Sequence, residues 1–155
     1  MRPEDLARPS PLDVSSGMGK RIIQSHEWIA QEKVDGWRAL WDGKRLWSRH
    51  GLLIGSALDR PLPAKTVMDG EYKAGHYYAF DLLMVDGDDI TGRPLRERLE
   101  LLQEFPVEGV TTVQELKLDA YRQLVARGAE GIVLKRLCDP YPTSDTDVHW
   151  FKVKP

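Results

Sequence analysis

Up to about residue 20 the chain shows no hydrophobic period. Pro3, Pro9 and Pro11, then Ser15-Ser16-Gly17 and Gly19, punctuate a polar stretch, and residues 1–20 read as a flexible lead-in. From Trp28 the pattern changes. Trp28–Val34 is short, rich in large apolar residues and stops at Asp35-Gly36. Trp37–Trp41 and Lys44–Arg49 flank Asp42-Gly43, the two-residue signal of a tight hairpin. Further strands are predicted at Thr66–Met68 running into Glu71-Tyr72, at Tyr77–Val85, at Gly131–Lys135 and at Val148–Val153. Helical periodicity is rarer. Pro94 opens a stretch in which Leu95, Leu99 and Leu102 recur at helical spacing. A second helix is predicted from about Leu118 to Arg127, with Tyr121, Leu124 and Val125 as its apolar face and Gly128 at its C-terminal cap. Residues 138–147, with Pro140, Pro142 and several Asp, read as a loop. Strand-rich segments with few helices predict an α+β fold, antiparallel β-sheets with flanking helices, forming one domain over residues 21–155.

Composition narrows the function classes. At 155 residues a single domain is the default, and folding can bury roughly 70% of the unfolded surface. The one cysteine, Cys138, excludes an internal disulfide and a Cys-based zinc site and fits a reducing, cytoplasmic compartment. No apolar run reaches the ~18 residues of a membrane span, so no membrane partner is expected. A net charge of −2 argues against a uniformly basic nucleic-acid coat, so a polyanion would have to meet a local basic face. Lys44, Arg45 and Arg49 on one hairpin, with Arg93, Arg96 and Arg98, are candidates to track a phosphate backbone.

The chemistry-bearing feature is an ordered series of short polar motifs at the ends of predicted strands. They are Lys33-Val34-Asp35-Gly36-Trp37-Arg38, Ser48-Arg49-His50-Gly51, Asp69-Gly70-Glu71, Phe80-Asp81, Glu130-Gly131-Ile132-Val133-Leu134-Lys135 and Lys152-Val153-Lys154. Any one is weak evidence. Asp-Gly marks turns wherever it occurs, and Asp42-Gly43, Asp69-Gly70 and Asp86-Gly87 read mostly as turns. In this order, the series resembles the covalent nucleotidyltransferase superfamily of ATP-dependent DNA ligases, RNA ligases and mRNA capping enzymes. The resemblance spans about residues 28–154. Within it, Trp28 through Gly51, Tyr78-Ala79-Phe80-Asp81-Leu82-Leu83 and Arg93-Pro94-Leu95-Arg96-Glu97-Arg98 look most like the compact bacterial and viral ATP-dependent DNA ligases.

The resemblance implies an ATP-grasp-like nucleotidyltransferase (adenylation) domain that uses ATP and Mg²⁺ and acts on nicked double-stranded DNA. It makes Lys33 the nucleophile that forms a lysyl-AMP phosphoramidate. Only the free amine can attack, and the reference lysine pKa is near ~10.4. Partial burial with Lys135, Lys152, Lys154 and bound metal nearby is expected to favour that form. Lys152 and Lys154 alternate by two, so on a strand they face one side and can neutralise charge developing on an α-phosphate. Arg38 is assigned to phosphate, including the nick 5′-phosphate, and a hairpin-like bend at Asp35-Gly36 is expected to bring it near Lys33. Glu71 corresponds to the carboxylate near ribose and metal, and Glu130 to the one that helps hold the divalent ion. Phe80 becomes the ring that stacks on adenine and Val133 packs on the opposite face of the base. Gln31, with Glu32 beside it, falls near the adenine amino group. Ser48 and Arg49 belong to the ribose side, and Lys135 completes the nucleotide-binding set. His50 receives no role.

Family members usually continue into an OB-fold domain after the Lys-x-Lys motif. The chain stops at Pro155, so an OB-fold domain is expected to be absent or supplied by a partner chain in trans, and the protein itself is expected to be a monomer. Because the covalent chemistry is shared, an RNA ligase or a capping-type guanylyltransferase remains an alternative, as does a non-catalytic nucleotide-binding scaffold.

Overall fold

A computed structural model describes residues 1–55, 57–143 and 148–155. Among these, β1 (Ser10–Pro11) and α1 (Gly17–Gln24) precede β2 (Trp28–Lys33), β3 (Trp37–Trp41), β4 (Leu46–Ser48), β5 (Thr66–Lys73), β6 (His76–Val85) and β7 (Asp88–Asp89). Then follow α2 (Leu95–Leu102), β8 (Glu108–Gly109), β9 (Thr112–Val113), α3 (Lys117–Ala126), β10 (Gly131–Arg136) and β11 (Phe151–Val153). No helix among the described residues is long and apolar enough to cross a membrane.

The chain forms two compact units. The first comprises residues 1–6, 36–109 and 139–141, and the second residues 7–35, 110–138 and 142–155. Each is built on one largely antiparallel sheet. In the first unit the order is β4-β3-β5-β6-β7, with β8 added to β6 in parallel. One face buries Ala39, Trp41, Met68, Tyr77, Ala79 and Leu82 together with Leu102 of α2. Alternation along a strand sends these inward and their neighbours to the other face. The second unit has the order β1-β11-β10-β2-β9. There Ala30, Ile132, Leu134 and Val153 pack against Ile22 of α1 and Leu124 of α3. Buried Lys117 ties the two helices together, donating from Nζ to the carbonyls of Ile23 (3.3 Å) and Ser25 (2.7 Å), at the end of α1.

Several expectations change here. Residues 1–20 are not an unstructured lead-in: β1 lies parallel to β11, and Ser16 caps α1 by accepting the Gly19 N–H. The reason is tertiary, because Ile22 is buried in a cluster with Ala30, Ile132 and Leu134 of the sheet and Leu124 of α3. The β3–β4 turn is shifted by one residue, since the Asp42 N–H bonds to the Arg45 carbonyl and leaves Gly43-Lys44 at the tip. The strand expected from Val148 starts only at Phe151. Asp35-Gly36 is no hairpin either, for β2 pairs with β10 and β9 whereas β3 pairs with β4 and β5. Asp69-Gly70 lies inside β5, where a Cβ on Gly70 would sit 2.5 Å from the Tyr78 carbonyl oxygen. The loop expected at 138–147 falls partly outside the described residues.

Candidate active site

In the second unit, pairing sets Gln31 opposite Val133 and Val133 opposite Lys152, and sets Lys33 opposite Gly131. Paired residues of an antiparallel ladder share a face, as do residues two apart. Gln31, Lys33, Val133, Lys135 and Lys152 therefore line one face, opposite the face that packs on the helices. Glu32, paired with Ile132, falls on the helix-packed face, away from Gln31 and Lys33. The nucleotide-binding role expected for it finds no support in this placement.

Glu130 lies just before β10 and contacts two lysines. Its Oε2 lies 2.9 Å from Lys33 Nζ and its Oε1 lies 2.6 Å from Lys154 Nζ. All three side chains keep some solvent access, between 23% and 43% of full exposure. Burial raises the Glu130 carboxyl, but the hydrogen bonds from Lys154 and Lys33 outweigh it and hold the group below the usual glutamate range. Gly131 permits the arrangement: a Cβ there would lie 2.0 Å from the Val153 carbonyl oxygen, so any larger residue would push β11 and the following Lys154 away. Buried Lys135 rests its ammonium 3.9 Å from the centroid of Trp150, a cation–π contact.

In the first unit, Arg38 is clamped. Its Nε and Nη2 donate to the two oxygens of Asp69 at 2.6 and 2.7 Å, and Tyr141 Oη donates to the same carboxylate at 2.8 Å. Asp69 is completely buried. Burial disfavours the Arg38 charge, yet Asp69 more than offsets it, and the guanidinium is held charged far above the working range of pH. The guanidinium carbon stands 5.0 Å from the Phe80 ring centroid. Phe80 is the extra residue of a β-bulge: Asp69 pairs with Asp81 and Gly70 with Ala79, leaving Phe80 between them. Glu71, opposite Arg38, accepts the Gly36 N–H at 3.1 Å. Arg49 donates its backbone N–H to the Arg38 carbonyl, and its Nε and Nη2 are buried with no hydrogen bond among the described residues.

Of the expected residues, then, one sheet gathers Gln31, Lys33, Glu130, Val133, Lys135, Lys152 and Lys154, and the other gathers Arg38, Arg49, Glu71 and Phe80. The two carboxylates singled out as a pair, Glu71 and Glu130, belong to different units. Asp69 and Tyr141 were missed. Asp69 was legible, since it stands two before Glu71 and shares its strand face, whereas Tyr141 reaches Asp69 from a distant segment. Arg98, expected to track phosphates, is buried and forked onto Asp81 at 2.8 and 3.1 Å, so its charge is spent inside the fold. Arg93, Arg96, Lys44 and Arg45 are exposed. Carboxylate oxygens such as those of Glu130 suit a hard divalent cation, which would take the place of one of the lysine contacts.

A partly accessible lysine held by a carboxylate that also holds a second lysine, on a sheet face of basic and apolar residues, suits transfer of a phosphorus group to an amine. The family model for the ATP dependent DNA ligase domain matches residues 48–154, more than half of the chain, and the chain belongs to that family. It is similar to DNA ligase 4 of Aspergillus fumigatus, 37% identical over 87 residues, which cover 49% of this chain and 9% of that protein. A longer match is the SPbeta prophage-derived DNA ligase-like protein LigB of Bacillus subtilis, 26% identical over 174 residues, covering 86% of this chain and 63% of the relative. The fold is that of a solved mycobacterial DNA ligase D complexed with ATP and MES, with a TM-score of 0.73 at 22% identity, over 98% of this chain and 60% of that one. The chain spans less than two thirds of each.

Proposed function

We propose that this chain carries out the adenylylation chemistry of an ATP-dependent DNA ligase, with Lys33 as the nucleophile. The observation that carries the reading is the contact of Lys33 and Lys154 with the two oxygens of Glu130, on a sheet face shared with Gln31, Val133 and Lys152. Lys33 Nζ loses a proton and forms a bond to the α-phosphorus of ATP as the bond to pyrophosphate breaks. Lys152 and Lys154 oppose the negative charge that grows on the phosphate oxygens. AMP then passes to the 5′-phosphate of nicked double-stranded DNA, and the 3′-hydroxyl displaces it to close the phosphodiester. Mg²⁺, for which Glu130 and Glu71 offer ligand oxygens, would neutralise phosphate charge when bound. Val133 is assigned to one face of adenine and Phe80 to the other, with Gln31 at the amino group. Arg38 and Arg49 are assigned to phosphate and ribose, and Lys135 to the nucleotide.

Intact-mass measurement after incubation with ATP and Mg²⁺ tests this directly. An added AMP, absent in Lys33→Ala, is the expected result. No adduct with ATP or GTP would overturn it in favour of a nucleotide-binding scaffold, and an adduct with GTP alone would favour a capping-type enzyme. Nicked DNA against nicked RNA as acceptor separates the two ligase readings. A monomer in sedimentation, and faster adenylylation when an OB-fold module is added in trans, are the corresponding expectations for partners.

A further inference from the structure

Outside the adenylylation residues, one group of side chains in the first unit converges without a role in that chemistry. Asp59 lies in the segment between β4 and β5, His76 opens β6, and Glu108 lies on β8. Each offers one ligand atom, and these atoms all lie within 4.8 Å of one another. The backbone holds the three segments in place. The Asp59 N–H bonds to the Gly75 carbonyl at 2.8 Å, and the parallel pairing of β6 with β8 sets Glu108 beside Tyr78, two residues on from His76.

The closest contact is informative. His76 Nδ1 is buried and lies 2.8 Å from Asp59 Oδ2. An imidazole nitrogen and a carboxylate oxygen this close, with a Glu108 ligand atom within 4.8 Å of both, form a donor set for a shared cation. A tetrahedral zinc ion, with bonds of ~2.0–2.1 Å, needs its ligands about 3.3 Å apart. The Asp59–His76 pair, at 2.8 Å, must open slightly to admit the ion, and the Glu108 ligand atom, within 4.8 Å of both, must close on it. One imidazole with two carboxylates suits a borderline first-row ion, whereas Mg²⁺ and Ca²⁺ prefer all-oxygen shells.

We propose that Asp59, His76 and Glu108 form a surface site for a divalent transition metal, with Zn²⁺ the best match and water completing the shell. The site is separate from the residues assigned to ATP. Its ligands come from three segments that are distant in sequence, so the bound ion ties the β4–β5 connection and β8 to the start of β6.

The test uses the full chain and metal alone, without nucleotide. Titration with Zn²⁺ in a calorimeter, and with Co²⁺ followed by visible absorption, is expected to give one equivalent and a rise in Tm. Loss of a direct ligand in His76→Ala or Glu108→Gln should weaken binding by at least the ~10–100-fold that losing an outer-shell partner costs. Both variants should match the wild-type circular dichroism and Tm in chelator, which separates lost ligation from lost folding. Glu130→Gln and His26→Ala, the latter removing an exposed His–Glu pair, should bind Zn²⁺ as the wild type does. Absence of stoichiometric binding overturns the proposal. So does undiminished binding by either ligand variant, or loss of binding in Glu130→Gln.

Discussion

The polar centres of the two sheets are built on opposite terms. Around Asp69 everything is dry and saturated: a buried carboxylate, a bidentate guanidinium and a tyrosine hydroxyl. Around Glu130 the same kinds of group meet through single contacts at partly wetted side chains. The first arrangement fixes a charge in one place and one protonation state. The second leaves its lysines able to exchange partners, which the nucleophilic role proposed for Lys33 requires. Rigidity and reactivity are thus assigned to different sheets, and stability and activity should respond differently when each is cut.

The largest effect is expected from Asp69→Ala, which leaves the Arg38 charge buried without its counterion. A loss of about 3–5 kcal/mol in urea unfolding is the expected cost. A loss below ~1 kcal/mol would mean that the clamp is no tighter than a surface pair. Next comes Gly131→Ala. Its Cβ meets the Val153 carbonyl, so β10 and β11 must separate, at a cost of about 1–3 kcal/mol and with loss of adenylylation. Glu130→Gln should invert that balance, with stability changed by no more than ~1 kcal/mol and AMP-adduct formation sharply reduced. Phe80→Ala removes a half-buried ring at a bulge, and it should raise the KM for ATP by about tenfold, equivalent to ~1.4 kcal/mol of stacking.

The smallest effect is a pH dependence. The Glu130 carboxyl is lowered in the folded state, so its stabilising contribution is present above the unfolded value of about 4.3 and is lost as pH falls through the folded value. The urea midpoints of wild type and Glu130→Gln should therefore differ at neutral pH and converge in acid. A gap that widens in acid would show that the lysine contacts do not stabilise the carboxylate.

Much of this was legible. Trp37–Trp41 is a strand with the bounds its alternation suggests, and Pro94 and Gly128 flank α2 and α3 as expected. Glu130, Lys33 and Lys154 stood out because each belongs to a motif. What local pattern concealed was whatever long-range packing decides. Glycines in α1 hide a helix that tertiary burial stabilises. Asp69-Gly70 carries a turn signal that a buried ion pair overrides in mid-strand. Arg98 resembled an exposed cation because the helical spacing of Leu95, Leu99 and Leu102 says nothing about Asp81 on another element. The bulge at Phe80 depends on the register of two strands, and no single strand encodes a register.

The strand order β1-β11-β10-β2-β9 has one more consequence. It interleaves early strands (β1, β2) with late ones (β9, β10, β11), so a nascent chain leaving the ribosome carries Lys33 long before Glu130 and Lys154 exist. Until then β2 lacks its β10 neighbour and waits as an open edge for translation to catch up. The contacts of Lys33 with Glu130 therefore form only after nearly the whole sheet has been made, and the β2 edge stays open to wrong pairing until then.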